Sequence, residues 1–420
     1  MTQGERTERF QRGRLVAVDG GPLGRLLTAN ARKQILKAAD ERLRRGTIQL
    51  RLPDGQDYRC GGHAPGPDAV LLVHRWRMMR RFLFGGALGF SQAYLDGDWD
   101  SPAPEKVIEI AALNRGTFQP TLRGGSLSRL VNRVPHLLRP NSKRGSRRNI
   151  EYHYDLGNDF YDAWLDPSMT YSSALFNDPA EESLEAAQQR KYRSLMDRLE
   201  LTPGDTVLEI GCGWGGFAEM AAKERGATVT AITLSREQAA YARERLHKAG
   251  LADKVRIELV DYRDVAGRFD KVASIEMFEA VGERYWPAYF ATLRRVLKPG
   301  GVAGLQIISI DEALFQDYRR GIDFIQAYIF PGGMLPTIRV LGQQAEAAGL
   351  KLTDKLLFGL SYAETLKRWR QAFEQAFSAG RLPAGIDERF RRLWRYYLCY
   401  CEGGFRAGSI DVGQYSFRPL

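Results

Sequence analysis

The stretch VLEIGCGWGGF, Val207 to Phe217, places four glycines within six residues directly behind an aliphatic run. The run ending at Ile210 reads as a strand, Gly211, Gly213, Gly215 and Gly216 as a turn, and the residues beyond as a helix. Strand, glycine turn and helix open an α/β nucleotide-type site, where missing side chains let backbone approach a ligand closely. Gly211, Gly213 and Gly216 also satisfy G-x-G-x-x-G, so a dinucleotide reading has to be weighed. That reading requires an acid roughly 20 residues on, closing the second strand, for the ribose hydroxyls. The second strand, ATVTAITLS (Ala227 to Ser235), ends in Thr-Leu-Ser, and the first acid after it is Glu237. The acid sits instead at Glu209, two residues before the first glycine. A nicotinamide site is disfavoured.

Outward from this turn, strand and helix alternate: Thr206–Ile210, Gly215–Lys223, Thr228–Thr233, Ser235–Ala249, Val255–Val260, Lys271–Ile275, Tyr285–Leu297 and Gly301–Ile310. A helix over about Glu182 to Leu199 precedes them. The alternation predicts an α/β fold, a doubly wound, Rossmann-like parallel sheet. From Asp311 to about Leu360 the pattern breaks into aromatics, glycines and prolines (DFIQAYIFPGGMLPT), an insertion long enough to roof a pocket. Residues 150–420 are thus expected to form the catalytic domain, with a lid insertion at about 311–360.

The first third of the chain differs in charge. Residues 1–150 hold 27 Lys/Arg against 13 Asp/Glu, although the whole chain carries only +11. Residues 1–120 read as a small basic α+β domain, with a helix over Arg32 to Arg45 and strands at Thr47–Leu52, Tyr58–Cys60 and Val70–Val73. A further helix is expected at Pro104–Leu113. Residues 121–149 read as a basic linker, and no acid occurs between Ile110 and Ile150. Such a segment seeks a polyanion, either nucleic acid or an anionic membrane face. The remainder is slightly acidic and carries no N/D-P-P-Y/F base-recognition motif, so no nucleic acid is expected. The four cysteines lack zinc-ligand spacing, and no metal is expected. With no secretory signal and no apolar run of spanning length, the cytoplasm is the expected compartment.

An E-x-G-x-G turn such as Glu209 to Gly213 resembles motif I of S-adenosylmethionine-dependent methyltransferases. HYDLGNDFY, MTYSS, LEIGCGWGG, ITLSREQ, MFEAVG, DFIQAYIFPGG and CEGGFRAG together resemble the cyclopropane-fatty-acid synthase family, from about residue 86 to the C-terminus. The resemblance implies a class I methyltransferase domain and methylation of double bonds in lipid acyl chains. It implies a donor site at Tyr154, Tyr171, Ser172, Glu209, Gly211, Cys212, Gly213, Thr233, Leu234 and Gln238. Tyr262 and Arg263 stand where the family has an adenine-contacting Trp-Glu pair.

The chemistry demands particular side chains. An alkene is a weak nucleophile, so methyl transfer passes through a carbocation that aromatic faces and carboxylates stabilise while water is kept out. A base must then take a proton. In the family this is thought to be bicarbonate, cradled by Cys, Glu, His and Tyr. Here Glu279 and Tyr362 match the Glu and Tyr, whereas Ser173 and Gln306 replace the Cys and His. Cys401 matches a cysteine once proposed as catalytic, although direct transfer needs no thiol. Phe324, Tyr328 and Phe330 are candidate tunnel aromatics. The expected reaction is methyl transfer from S-adenosylmethionine to the cis double bond of a phospholipid acyl chain, closing a cyclopropane. The alternative is a methylene- or methyl-branched chain. Anionic membrane phospholipid is the expected partner, bicarbonate a candidate cofactor, and a homodimer stays open.

Overall fold

The computed structural model describes residues 29–122 and 156–420. Tyr154, His153 and nearly all of the basic 121–149 segment lie outside them. In the first unit, α1 (Ala29–Arg42) leads into β1 (Arg45–Arg51), β2 (Asp57–Gly61) and β3 (Ala64–Val73). After α2 (Arg77–Leu95), the short β4 (Trp99–Asp100) completes a four-stranded sheet in the order β2-β1-β3-β4. The expected hairpin is present: β1 and β2 pair antiparallel across the Pro53–Gly55 turn. Next, α3 (Pro104–Leu113) takes the expected bounds, starting with proline at its first turn, where the missing N–H is harmless. Helix α4 (Arg115–Leu122) runs across the expected boundary at 120.

The second unit begins with α5 (Asn158–Asp162) and α6 (Leu184–Arg198). Then come β5 (Thr206–Ile210), α7 (Gly216–Arg225), β6 (Thr228–Ile232), α8 (Arg236–Lys248), β7 (Val255–Glu258), β8 (Phe269–Ile275), α9 (Trp286–Val296) and β9 (Leu297–Ile310). The chain closes with α10 (Glu312–Arg320), α11 (Ile338–Ala347), β10 (Leu350–Leu357), α12 (Gly359–Ser378), α13 (Glu388–Arg406) and β11 (Ile410–Pro419). Seven strands form one sheet in the order β10-β11-β9-β8-β5-β6-β7. Strands β7, β6, β5, β8 and β9 run parallel, as the alternating pattern requires. The C-terminal strand β11 enters antiparallel between β9 and β10, so the sheet is mixed rather than wholly parallel.

The expected insertion therefore needs correction. Residues 338–357 are a helix and an edge strand of the main sheet. Only about 311–337 departs from the alternation, and there Ile325–Ile329 wind as a π-helix, a geometry frequent at functional sites. The expected turn at Lys298–Gly301 is an irregularity inside β9, where Gly300 takes φ +74° and the pairing with β8 shifts register.

The two units share one core. Leu71, Tyr94, Trp99 and Ile110 cluster with Phe160, Trp164, Trp369 and Trp394. At the junction, Gly403 of α13 lies so close to α3 that a Cβ there would sit 2.7 Å from the Glu105 carbonyl oxygen. That approach explains one glycine of CEGGF. Arg392 donates to the carbonyls of Tyr94 and Trp99 and to the Asp100 carboxylate, at 2.7–2.9 Å. The Tyr396 ring lies 5.1 Å from Tyr94, 6.3 Å from Trp99 and 4.8 Å from Phe324, touching the N-terminal unit and the segment after β9 at once. Truncating a buried aromatic costs about 3–5 kcal/mol. Tyr396→Ala should therefore lower stability by about that amount in chemical denaturation; a loss under ~1 kcal/mol would show that this junction is not a shared core.

Candidate functional site

At the C-terminal ends of β5, β6 and β8 a cavity of about 630 Å³ opens, within the range of small-molecule sites, about 300–1,000 Å³. One end is the glycine turn. Gly211 takes φ +85° and Gly213 φ +51°, left-handed conformations that side chains resist. A Cβ on Gly211 would press on Met277 at 2.9 Å, whereas one on Gly213 would meet nothing within 4 Å. The side of Gly213 that a Cβ would occupy is open. Tyr171, Ser172, Glu209, Cys212, Thr233, Leu234, Gln238 and Tyr262, all expected at the donor site, line the same cavity. Thr233 and Gln238 are joined side chain to side chain at 3.0 Å, and Ser235 caps α8 by accepting from the Gln238 amide. Arg263 is not brought to the wall. Its guanidinium turns back onto the Asp261 carboxylate at 2.7 Å.

The site is rich in buried carboxylates. Glu209 is buried, and its Oε2 has no hydrogen-bond partner. Loss of solvent pushes its pKa up to about 8. An orphaned buried carboxylate oxygen beside a glycine turn suits a positively charged ligand, as the sulfonium and ammonium groups of S-adenosylmethionine are. The donor fits. Lys191 is buried nearby, donating to Ser172 Oγ at 2.6 Å, and burial pulls its pKa down to about 7 against the pull of Glu276, Asp166 and Glu209.

The residues expected to cradle bicarbonate converge on something else. Tyr362 Oη donates to Glu276 Oε2 at 2.5 Å, while Gln306 Nε2 at 2.7 Å and the Ser173 backbone amide at 2.8 Å donate to Oε1. Ser173 and Gln306 stand behind Glu276 rather than on the cavity wall, and the Ser173 hydroxyl is spent on the Ala174 carbonyl. This arrangement does not fit a free bicarbonate, because the side chain of Glu276 already takes the donors. Glu279 lines the cavity too; its Oε1 accepts from the Ile308 amide, its Oε2 is unpartnered, and burial next to Glu276 raises its pKa to about 8. Cys401 lines the cavity, but burial and the charges of Asp323 and Glu276 push its thiol well above its ordinary range, which disfavours a thiolate nucleophile. Cys399 is buried against Glu105.

The far end of the cavity is aromatic and apolar, with Phe324, Phe330, Tyr397 and Leu88. Tyr328 instead packs into the core beside Phe324. Sequence reasoning missed Glu276 and Lys191. The signal for Lys191 was present: it falls with Ala187, Tyr192 and Leu195 on the buried stripe of α6. Glu276 follows the apolar end of β8 directly, where ligands of parallel sheets bind.

Comparison with known proteins agrees with this geometry. Residues 141–415 match the mycolic acid cyclopropane synthetase family model. A tuberculostearic acid methyltransferase of Mycobacterium tuberculosis is 39% identical over 95% of this chain and 93% of its own length. The cyclopropane-fatty-acyl-phospholipid synthase of Escherichia coli K12 is 36% identical over 88% of this chain and 95% of its own. The mycolic acid cyclopropane synthase CmaA1, complexed with SAH and CTAB, superposes with a TM-score of 0.60 at 31% identity, over 64% of this chain and 97% of that one.

Two binding results should follow. Gly213→Val puts a β-branched side chain into ligand space and should weaken donor binding at least ~100-fold by calorimetry, with folding checked by circular dichroism; unchanged binding would remove the donor from this turn. Glu209 with a pKa of about 8 is largely protonated at pH 7. A cationic ligand favours its carboxylate, so binding expels a proton, and affinity should rise between about pH 6.5 and 8.5. Glu209→Gln should flatten that rise. An identical pH profile in both proteins would exclude Glu209 as the ligand's counter-charge.

Proposed function

Because the chain belongs to the mycolic acid cyclopropane synthetase family, and is an S-adenosylmethionine-dependent methyltransferase, we propose that it methylates the cis double bond of an unsaturated acyl chain in a membrane phospholipid and closes it to a cyclopropane. The observation that carries this reading is the single cavity joining the Gly211–Gly213 turn to the aromatic end at Phe324 and Phe330. One end suits a cationic methyl donor and the other an apolar chain. The buried carboxylates between them stabilise a developing cation. The phospholipid is supported by the E. coli relative, whose name states that substrate.

A second reading keeps the methyl transfer and changes the product to a methylene-branched chain, which a separate reductase could saturate. It is favoured by the tuberculostearic acid methyltransferase, matched over nearly the whole chain and named as a methyltransferase rather than a cyclopropane synthase. Mass spectrometry of lipids from cells expressing the protein should show acyl chains heavier by one methylene unit, carrying the donor's labelled methyl carbon. Mild hydrogenation then separates a ring, which stays, from a methylene branch, which takes up two hydrogens. Label in headgroups rather than acyl chains would defeat both readings.

No helix among the described residues is long and apolar enough to cross a membrane. The proposed acyl chain is taken from the surface of a bilayer. Leu83 and Phe84 of α2 are exposed beside Gly85, which lines the cavity. They suit insertion at the lipid interface, with the basic N-terminal third held by anionic headgroups on the cytoplasmic face. Burying a leucine or phenylalanine side chain is worth about 1.5–3 kcal/mol. Leu83→Asp with Phe84→Asp should accordingly weaken vesicle sedimentation at least ~tenfold, and binding of the unaltered protein should fall with salt. Salt-independent partition equal on neutral and anionic vesicles would rule out the charged contact.

A further inference from the structure

We propose that Glu276 is the catalytic base of this enzyme: its carboxylate, presented to the cavity by Tyr362, Gln306 and the Ser173 amide, takes the proton that must leave after methyl transfer, and no external anion is required. The inference rests on the methyl-transfer reading above and names the group that completes it.

Three observations carry it. First, the carboxylate lines the cavity close to the donor turn, where Met277, its neighbour in sequence, touches the space at Gly211. Second, its two oxygens accept from three donors at 2.5–2.8 Å on three different elements. Hydrogen bonds to the charged form favour it. Burial raises the Glu276 carboxyl above its ordinary range, and these three bonds together with Lys191 oppose that rise. Glu279 and Glu209, which line the same cavity, each leave one carboxylate oxygen unpartnered. Third, Glu276 adopts φ +49°. A left-handed conformation disfavours a residue with a side chain, and such strain clusters where a group must be aimed. Here it turns the side chain from the end of β8 toward Tyr362 and the cavity.

The steps balance. The π pair of the alkene forms a bond to the donor's methyl carbon, and the carbon–sulfur bond breaks toward sulfur, leaving S-adenosylhomocysteine and a cation on the other alkene carbon. A C–H bond of the new methyl then breaks. Its pair closes the three-membered ring on the cationic carbon, and its proton goes to the Glu276 carboxylate, to be released to water with the products. If a hydride first moves to the cationic carbon from the carbon bearing the new methyl, the same proton loss gives a methylene branch. The base is needed for either product.

The test compares wild type, Glu276→Gln and Glu276→Gly on unsaturated phospholipid vesicles, with and without bicarbonate, reading acyl products and donor affinity separately. In carbonate-free buffer the wild type should keep its full rate. Glu276→Gln should lose turnover by about 10²–10⁴-fold, the usual contribution of a general base, with donor affinity within about threefold. Glu276→Gly, which leaves the three donors facing an anion-sized space, should regain at least ~tenfold with bicarbonate, formate or acetate. A wild type that slows when carbonate is stripped would overturn the proposal, and so would a Glu276→Gln variant turning over within a few-fold of wild type. A Glu276→Gly variant that binds donor normally yet gains nothing from any of the three anions would also overturn it. A wild type that methylates no acyl chain in either buffer would instead overturn the methyl-transfer reading, and this inference with it.

Discussion

Three hydrogen bonds reach the Glu276 carboxylate from separate parts of the chain, and they join the catalytic cavity to the sheet. Tyr362 comes from the first turns of α12, Gln306 from the middle of β9, and the Ser173 amide from the loop before α6. Behind them the Gln414 amide of β11 donates to Gln306 Oε1 at 3.2 Å and to the Lys191 carbonyl at 2.9 Å. A carboxylate taken out of water is tolerated only when its oxygens are satisfied. The network therefore explains why polar residues stand at wholly buried positions on β9 and β11, where strands covered on both faces otherwise carry apolar side chains.

Beyond Glu276, the cavity collects more acid than base. Glu209, Glu279 and Asp323 all have carboxyls raised by burial, to about 8, 8 and 6, while the buried Lys191 is lowered to about 7. In a dry pocket such groups shed charge when nothing positive is present, and regain it when a cation enters. The donor is cationic and so is the intermediate. In the proposed reaction the carboxylates would act as adjustable counter-charge: neutral enough to be buried in the free enzyme, and ionised as positive charge arrives and moves from sulfur to carbon. This is preorganisation of the electrostatic kind, aimed at charge that develops during the reaction.

How much of this was legible in sequence varied with the kind of signal. The parallel strands β5 to β9 were clear because apolar runs alternate with amphipathic helices, and the donor turn because glycine is needed where backbone adopts positive φ. The C-terminal strand Ile410–Pro419 was not read, since IDVGQYSFRP places Gly and Gln where a strand signal wants β-branched residues; its partners on both sides make it a strand. The 338–357 segment was mistaken for insertion because the helix and edge strand it forms follow directly on an aromatic and proline-rich run. At the site, residues matched by position come together on one cavity: Tyr171, Ser172, Thr233, Gln238, Glu279 and Tyr362 all line it. What position matching could not supply was direction. Ser173 and Gln306 point at a neighbouring side chain, Arg263 turns onto Asp261, and Glu276 enters the site only because its backbone takes a left-handed turn at the strand end.

Water exclusion links the chemistry back to the fold. A carbocation in contact with water is captured as an alcohol, so a methyl transfer of this kind depends on what surrounds the cavity as much as on what lines it. Behind Tyr171, which lines the cavity, Tyr161, Trp164, Trp369 and Trp394 make edge-to-face and tilted contacts at ring distances of 5.7–6.4 Å. Phe324, on the segment after β9, meets Tyr396 of α13, which in turn meets Tyr94 of the N-terminal unit. Neither the sheet nor the glycine turn would need the N-terminal unit to bind a donor. The proposed acyl chain would, because Leu88, Ile108 and Ala112 line the cavity together with residues of the segment after β9 such as Phe324 and Phe330. The N-terminal unit is thus part of the wall that the proposed reaction needs to keep water out, and the shared aromatic core holds it there.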